Sequence, residues 1–250
     1  MSAVEARVRL SFGDAGSSWC KVYRPGDPRV KLLPTRELSR GDARFDWGTG
    51  HTARPRSQNF ENDLISLSRG ALELVEEDDF TVLDLGSRDA KLVGFSGRRP
   101  VRLDWSVGCA AATGATVEML GKFYEMDFDR VPIVDEWMPV TCGTYAVERV
   151  LDGVSAGEPV ERAVGRFLHG LARSSFDFAA RPERLYLSGG FTQNRPYVEL
   201  LGRYTEVVAL GRTVPLAGLW AFAEECNPEI GPLPEALDRG TVLETEREEK

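Results

Sequence analysis

Two stretches, Asp14-Ala15-Gly16-Ser17-Ser18-Trp19-Cys20-Lys21 and Asp84-Leu85-Gly86-Ser87-Arg88-Asp89-Ala90-Lys91, are one device written twice. Each follows an apolar, strand-like run: Val8, Leu10 and Phe12 in the first case, Phe80 to Leu83 in the second. Each sets an Asp at the strand end, Gly and Ser in a tight turn, and a Lys at the entry to another strand. Glycine lets backbone approach a phosphate, amides and hydroxyls donate to its oxygens, and an Asp holds Mg²⁺ through water. One copy alone reads equally as a β-turn whose Asp caps local amides. Two copies predict an α/β chain of two half-domains closing on one nucleotide.

A third element points the same way. Arg184 to Ser188 reads as a strand, Gly189-Gly190 as a turn, and Phe191 to Asn194 leads into a helix through Pro196. A Gly-Gly turn between strand and helix gives flat access for an adenine or ribose and places a helix N-terminus beside it.

Composition bounds the remaining classes. With 250 residues, 42% hydrophobic and 28% charged, the chain can bury one large core or two modest ones. A net charge of −8 argues against nucleic acid as a partner, because no basic excess is present. No apolar run reaches the length of a membrane span and no signal-peptide pattern opens the chain, so a cytoplasmic protein is expected. The four cysteines, Cys20, Cys109, Cys142 and Cys226, are far apart and include no Cys-x-x-Cys. They read either as buried apolar thiols or as metal ligands. His51 reads as part of a polar loop and His169 as part of a helix face.

Strands are expected near 8–12, 19–23, 80–85, 90–95, 101–105, 184–188 and 205–210, and helices over 62–75, 113–124 and 159–176. Residues 24–60, rich in Arg, Pro, Gly and Asp, read as a long loop. The Pro-spaced, charged segment 227–250 reads as a polar tail, mobile at its end. Two ribonuclease-H-like half-domains of mixed sheet and helices follow, with boundaries at 1–97 and 98–226.

The order of these motifs resembles the actin-like ATPase superfamily of sugar kinases and heat-shock chaperone ATPases. Within it the chain looks most like the ATP-dependent activators of 2-hydroxyacyl-CoA dehydratases and the related benzoyl-CoA reductase ATPases. The likeness runs from about Leu10 to Glu224. It rests on both hairpins, Thr49-Gly50-His51, Ser68-Arg69-Gly70-Ala71 and Ser188-Gly189-Gly190-Phe191-Thr192-Gln193-Asn194. Gly108-Cys109-Ala110-Ala111-Ala112-Thr113-Gly114 and Val140-Thr141-Cys142-Gly143-Thr144-Tyr145-Ala146, each leading into a helix, match the segments that carry this family's cluster ligands. The chain departs from the pattern at Arg88, at Ala112 where Gly is usual, and at Glu148, one place later than the family's acid. The Gly-Ala-rich helix that closes the family's nucleotide site is reduced here to Pro215 to Trp220.

The resemblance implies an ATPase that couples hydrolysis to electron transfer. Asp14 and Asp84 would position Mg²⁺ and the attacking water. Gly16, Ser17, Ser18 and Lys21 would bind phosphate from one side, with Gly86, Ser87 and Lys91 on the other, and Gly189, Gly190 and Asn194 would border the adenosine. Cys109 and Cys142 of two chains would hold one 4Fe–4S cluster on a homodimer axis and serve a partner dehydratase or reductase. A small-molecule kinase and a noncatalytic, ATP-binding assembly factor stand as alternatives.

Overall fold

A computed structural model describes residues 10–38, 43–106, 113–140 and 142–238, and the backbone of 242–244. In chain order the first part contains β1 (Phe12–Ala15), β2 (Trp19–Tyr23), β3 (Val30–Pro34), the one-turn helix α1 (Thr35–Leu38), β4 (Phe45–Thr49), β5 (Ser57–Phe60) and α2 (Asp63–Leu74). Next come β6 (Phe80–Leu85), β7 (Ala90–Ser96), β8 (Arg99–Trp105), α3 (Gly114–Phe123), α4 (Gly143–Ser155) and α5 (Val160–Phe178). The chain continues through β9 (Arg184–Gly189), α6 (Arg195–Leu201), β10 (Glu206–Gly211), α7 (Val214–Cys226), α8 (Glu235–Asp238) and β11 (Val242–Glu244).

Two mixed sheets repeat one strand order. The first runs β11-β3-β2-β1-β4-β5 and the second β10-β9-β6-β7-β8, so each centres on the strand that carries the motif Asp. In each, the central strand pairs antiparallel with the next in sequence (β1 with β2, β6 with β7) and parallel with the fourth (β1 with β4, β6 with β9). Parallel neighbours need a crossover, and helices fill it in the second sheet, whereas α1 is a single turn in the first.

The chain divides into two compact units, residues 1–78 with 210–250, and residues 79–209. The expected boundary at 97/98 falls inside the second unit, between β7 and β8. Strand β6 belongs with β9, more than a hundred residues later, through the register Val82–Tyr186 to Leu85–Gly189. Helix α7 in turn packs on α2 in the first unit. The expected loop at 24–60 is overturned. It supplies β3, β4 and β5, because Val30, Leu32 and Phe45 alternate with polar residues and are buried.

The supposed tail carries α8 and, at Val242–Glu244, β11. Ile230 and Leu237 are buried in the first unit's core, and Thr213 Oγ1 donates to the Leu237 carbonyl at 3.1 Å. Nor is the segment around Pro215 reduced. It forms the full helix α7, whose Trp220 stacks obliquely with Phe12 at 5.2 Å and donates Nε1–H to the Gly231 carbonyl at 3.0 Å. Burying a side chain of this size contributes about 1.5–3 kcal/mol.

Helices α2 and α7 cross backbone to backbone. A Cβ on Gly70 would collide with the Val214 carbonyl oxygen, and a Cβ on Gly218 with that of Ser66. The second unit is built round α5, whose Ala163, Val164, Phe167, Leu168 and Ala172 are buried against β6, β7 and β9 residues such as Leu83, Leu92 and Leu187. His169 lies in that core with Nε2 2.7 Å from the Tyr204 hydroxyl. Burial holds its pKa below the ordinary 6.5. Among the described residues no helix is long and apolar enough to cross a membrane.

Two outcomes follow. Gly70→Ala or Gly218→Ala is expected to cost about 1–3 kcal/mol in urea unfolding, through overpacking at the crossing; a loss under about 0.5 kcal/mol would show that the helices separate freely. Because the His169 pKa is lowered on folding, its contribution is intact above pH 6.5 and is lost as pH falls below that value toward the folded pKa. Melting temperature should therefore drop between pH 7.5 and pH 5.5, and the drop should shrink in His169→Gln.

Candidate functional site

The two motif hairpins have identical registers. Asp14 faces Lys21 across β1 and β2, and Asp84 faces Lys91 across β6 and β7. In each turn the Gly N–H closes the hairpin: Gly16 donates to the Trp19 carbonyl at 3.1 Å and Gly86 to the Asp89 carbonyl at 3.0 Å. Those two amides are therefore spent on the turn. A phosphate would instead meet the turn tips, where Ser17 is exposed and Ser18 and Ser87 are half-buried.

The carboxylates differ in their partners. Asp14 is 5% exposed and forms an ion pair with Lys21 Nζ at 2.5 Å. Asp84 is half-buried and accepts from the Ser188 hydroxyl at 2.7 Å, while Lys91 pairs with Asp89 at 2.8 Å. Both lysine side chains are mostly buried, with 15% of Lys21 and 12% of Lys91 exposed, so neither ammonium is a freely swinging surface charge.

Both Asp residues have a hydroxyl residue beside them on the parallel neighbour, a feature that motif reading missed. Thr49 is in register with Asp14, and Ser188 with Asp84. Each is followed by a glycine at positive φ, +92° at Gly50 and +91° at Gly189. A Cβ on Gly50 would sit 2.6 Å from the Ala15 carbonyl oxygen, and one on Gly189 would strike the Leu85 carbonyl and lie 3.0 Å from Asp84 Oδ1. The signal in the sequence is a Ser or Thr followed by Gly at a strand end, present once per half. The hydroxyl of Thr49 is fully buried with no hydrogen-bond partner among the described residues, whereas that of Ser188 is used.

After Gly189 the chain makes a 3-10 turn over Gly190–Gln193 and enters α6. A Cβ on Gly190 would meet no atom within 4 Å, so that glycine borders open space. Asn194 caps α6, accepting from Tyr197 N at 3.0 Å, which gives it a structural role beside any ligand contact.

The cysteines separate. Cys20 is fully buried, and burial first, then the Asp14 carboxylate, pushes its thiol up to about 12. Cys226 is exposed at the end of α7, against the expectation of a buried thiol, because the helix ends there at the surface. Cys142 is half-buried at the N-cap of α4. Cys109 lies outside the described residues. Among the described residues there is no group of three or more His, Cys, Asp and Glu that could hold a metal ion. Cys142, at the start of a helix, has a thiol of the kind that can ligate a metal. The hairpin carboxylates and turn hydroxyls suit magnesium and phosphate.

The structure of the activator of the 2-hydroxyisocaproyl-CoA dehydratase from Clostridium difficile with bound ADPNP is similar, with a TM-score of 0.71 at 19% identity, over 90% of this chain and 99% of that one. Component A of the (R)-2-hydroxyglutaryl-CoA dehydratase from Acidaminococcus fermentans gives 0.69 at 17% identity, over 87% and 98%. The fold is that of the actin-like ATPases. The ethanolamine utilization protein EutJ from Carboxydothermus hydrogenoformans is a more distant likeness, at a TM-score of 0.50 and 13% identity over 88% and 94%. No protein-family model matches the sequence, and a search of curated proteins found no relative. In actin-like terms, the duplicated sheets and the Asp at each central strand end are the two halves of the fold.

Ser188→Ala removes the only hydroxyl proton recorded on Asp84 among the described residues. It is expected to cost about 1–3 kcal/mol of stability, the range for losing a hydrogen bond to a charged, half-buried acceptor. Chemical denaturation at pH 7 reads the loss, and an unchanged midpoint would show that water replaces the hydroxyl.

Proposed function

We propose that the chain is an ATP-dependent activator, hydrolysing ATP to drive low-potential electron transfer from a 4Fe–4S cluster, shared between two chains, to a partner dehydratase or reductase. The observation that carries the nucleotide half of this reading is the common register of Asp14–Lys21 and Asp84–Lys91. Likeness to an activator with bound ADPNP over 90% of the chain supports it.

Asp14 and Asp84 would each offer a carboxylate, from its own unit, to Mg²⁺ or to the water that attacks the terminal phosphorus in line as the bond to the leaving ADP oxygen breaks. Ser17, Ser18 and Ser87 and the adjoining amides take phosphate oxygens, with Gly16 and Gly86 keeping the turns close. Lys21 and Lys91 add positive charge as the bond breaks. Gly189 and Gly190 give the adenosine a side-chain-free border, and Asn194 fixes the helix behind it. Phosphoryl transfer needs mainly position and charge neutralisation, which these groups supply.

Cys109 and Cys142 are the cluster ligands in this reading, and two chains together furnish the four thiolates a cubane requires. When bound, the cluster supplies a one-electron couple. Met119 and Phe123 on α3, and Tyr145 and Leu151 on α4, are exposed apolar side chains on the helices that follow the two cysteine positions. Such surface suits a second chain and a partner enzyme.

The test is iron and acid-labile sulfide on protein purified without oxygen, beside a Cys109→Ser, Cys142→Ser double variant, with ATP turnover measured on the same samples. About four irons per pair of chains, lost in the double variant, are expected. Asp84→Asn should cut turnover by about 100-fold or more. Gly190→Ala should fold normally yet weaken nucleotide binding. An iron-free wild type that binds ATP would remove the electron-transfer reading and leave a kinase or an ATP-dependent clamp.

A further inference from the structure

The turn of the second hairpin is fastened to the start of α3 by four hydrogen bonds. Thr113 Oγ1 donates to the Ser87 carbonyl at 2.6 Å, Ala115 N to the same carbonyl at 2.7 Å, and Gly114 N to the Gly86 carbonyl at 3.2 Å. The fourth runs from the Ser87 hydroxyl to Glu118 Oε1, one turn further along α3, at 3.3 Å. The contact is as close as backbone permits, since a Cβ on Gly114 would lie 2.8 Å from the Gly86 carbonyl oxygen and 3.0 Å from Ser87 Cα.

The first unit has a matching fastening. Thr35, the first residue of α1, donates Oγ1–H to the Gly16 carbonyl at 2.9 Å and N–H to the Ser18 carbonyl at 2.8 Å. Each hairpin turn is thus tied through a threonine to the helix that follows the third strand of its sheet. The helices differ. α1 is a single turn of 4 residues, whereas α3 has 10 and, at 1.5 Å per residue, is about 15 Å long. A shift at the turn is absorbed locally in the first unit and is carried along a rigid element in the second.

The Ser87 hydroxyl has one proton to give. It gives it to Glu118 here, and it must withdraw it to donate to a phosphate. Glu118 and a phosphate are both anions, so the arrival of one at Ser87 disfavours the other. We propose that Thr113 is a positioning residue that passes occupancy of the Gly86–Ser87 turn to α3, and that Glu118 is the group a bound phosphate displaces from Ser87. This rests on the nucleotide reading above. The coupling has the differential contact that a ligand-driven shift requires: Ser87 bonds Glu118 without phosphate and phosphate in its presence.

The experiment is hydrogen–deuterium exchange across residues 114–123 of the full chain, with and without MgADPNP, together with calorimetric affinity for the same nucleotide. In the wild type, MgADPNP should alter exchange in α3. Thr113→Val should bind MgADPNP within about threefold of wild type, yet lose the response in α3. Thr113→Ser, which keeps the hydroxyl, should restore it. Glu118→Gln, which removes the competing charge, should bind about three- to tenfold more tightly. A full α3 response in Thr113→Val, or unchanged affinity in Glu118→Gln, overturns the proposal. Wild-type protein that binds MgADPNP with α3 exchange untouched overturns the coupling alone, whereas protein that binds no nucleotide overturns the reading of the site and the coupling with it.

Discussion

A carboxylate that ends a central strand, with little of its surface in water, must be given a donor, because an uncompensated buried charge costs several kcal/mol. Asp14 is such a group and Asp84 is half-buried, and the register of the surrounding strands supplies a donor to each. In the first unit the antiparallel neighbour brings Lys21 to Asp14; in the second the parallel neighbour brings Ser188 to Asp84. A one-residue slip in either pairing would turn the donor to the opposite face of the sheet. The positions of the turns, of the positive-φ glycines that follow Thr49 and Ser188, and of the helices fastened to those turns all descend from these two registers.

Much of this was legible in the amino-acid sequence. The hairpins declared themselves through Asp, Gly, Ser and Lys at matching places, and the long amphipathic run at Val160–Phe178 forms the helix its periodicity predicts. What could not be read was mostly non-local. The strands inside 24–60 are short and interrupted by Arg, Pro and Gly, so their alternation is weak until β1 and β2 supply pairing partners. The end of the chain looks polar, yet Leu237 is taken into the core because Thr213 and α7 are there to receive it. Helix α7 is apolar on nearly every side, so no amphipathic stripe marks it, and its glycine matters only opposite Gly70. Of the site, the carboxylates and turns were visible from local spacing. The partners that separate Asp14 from Asp84 were not, since Ser188 lies 104 residues from the carboxylate it serves.

The crossing of α2 and α7 explains why the unit boundaries lie where they do. Two helices whose backbones meet at Gly70 and Gly218 exclude side chains from the contact, and their association depends on keeping both positions bare. Through that contact a segment that follows the second sheet in sequence is incorporated into the first unit. A cut placed by sequence alone separates elements that must fold together.

The two halves share a plan and differ in the partners of their motif carboxylates and in the length of the helix tied to each turn. Lys21 offsets the charge of Asp14 within a buried pair. Asp84 instead accepts from a neutral hydroxyl, and Lys91 pairs with Asp89. It is the second hairpin, too, whose turn is bonded to a helix of several turns rather than one. The asymmetry arises from a few side chains set on an otherwise repeated backbone.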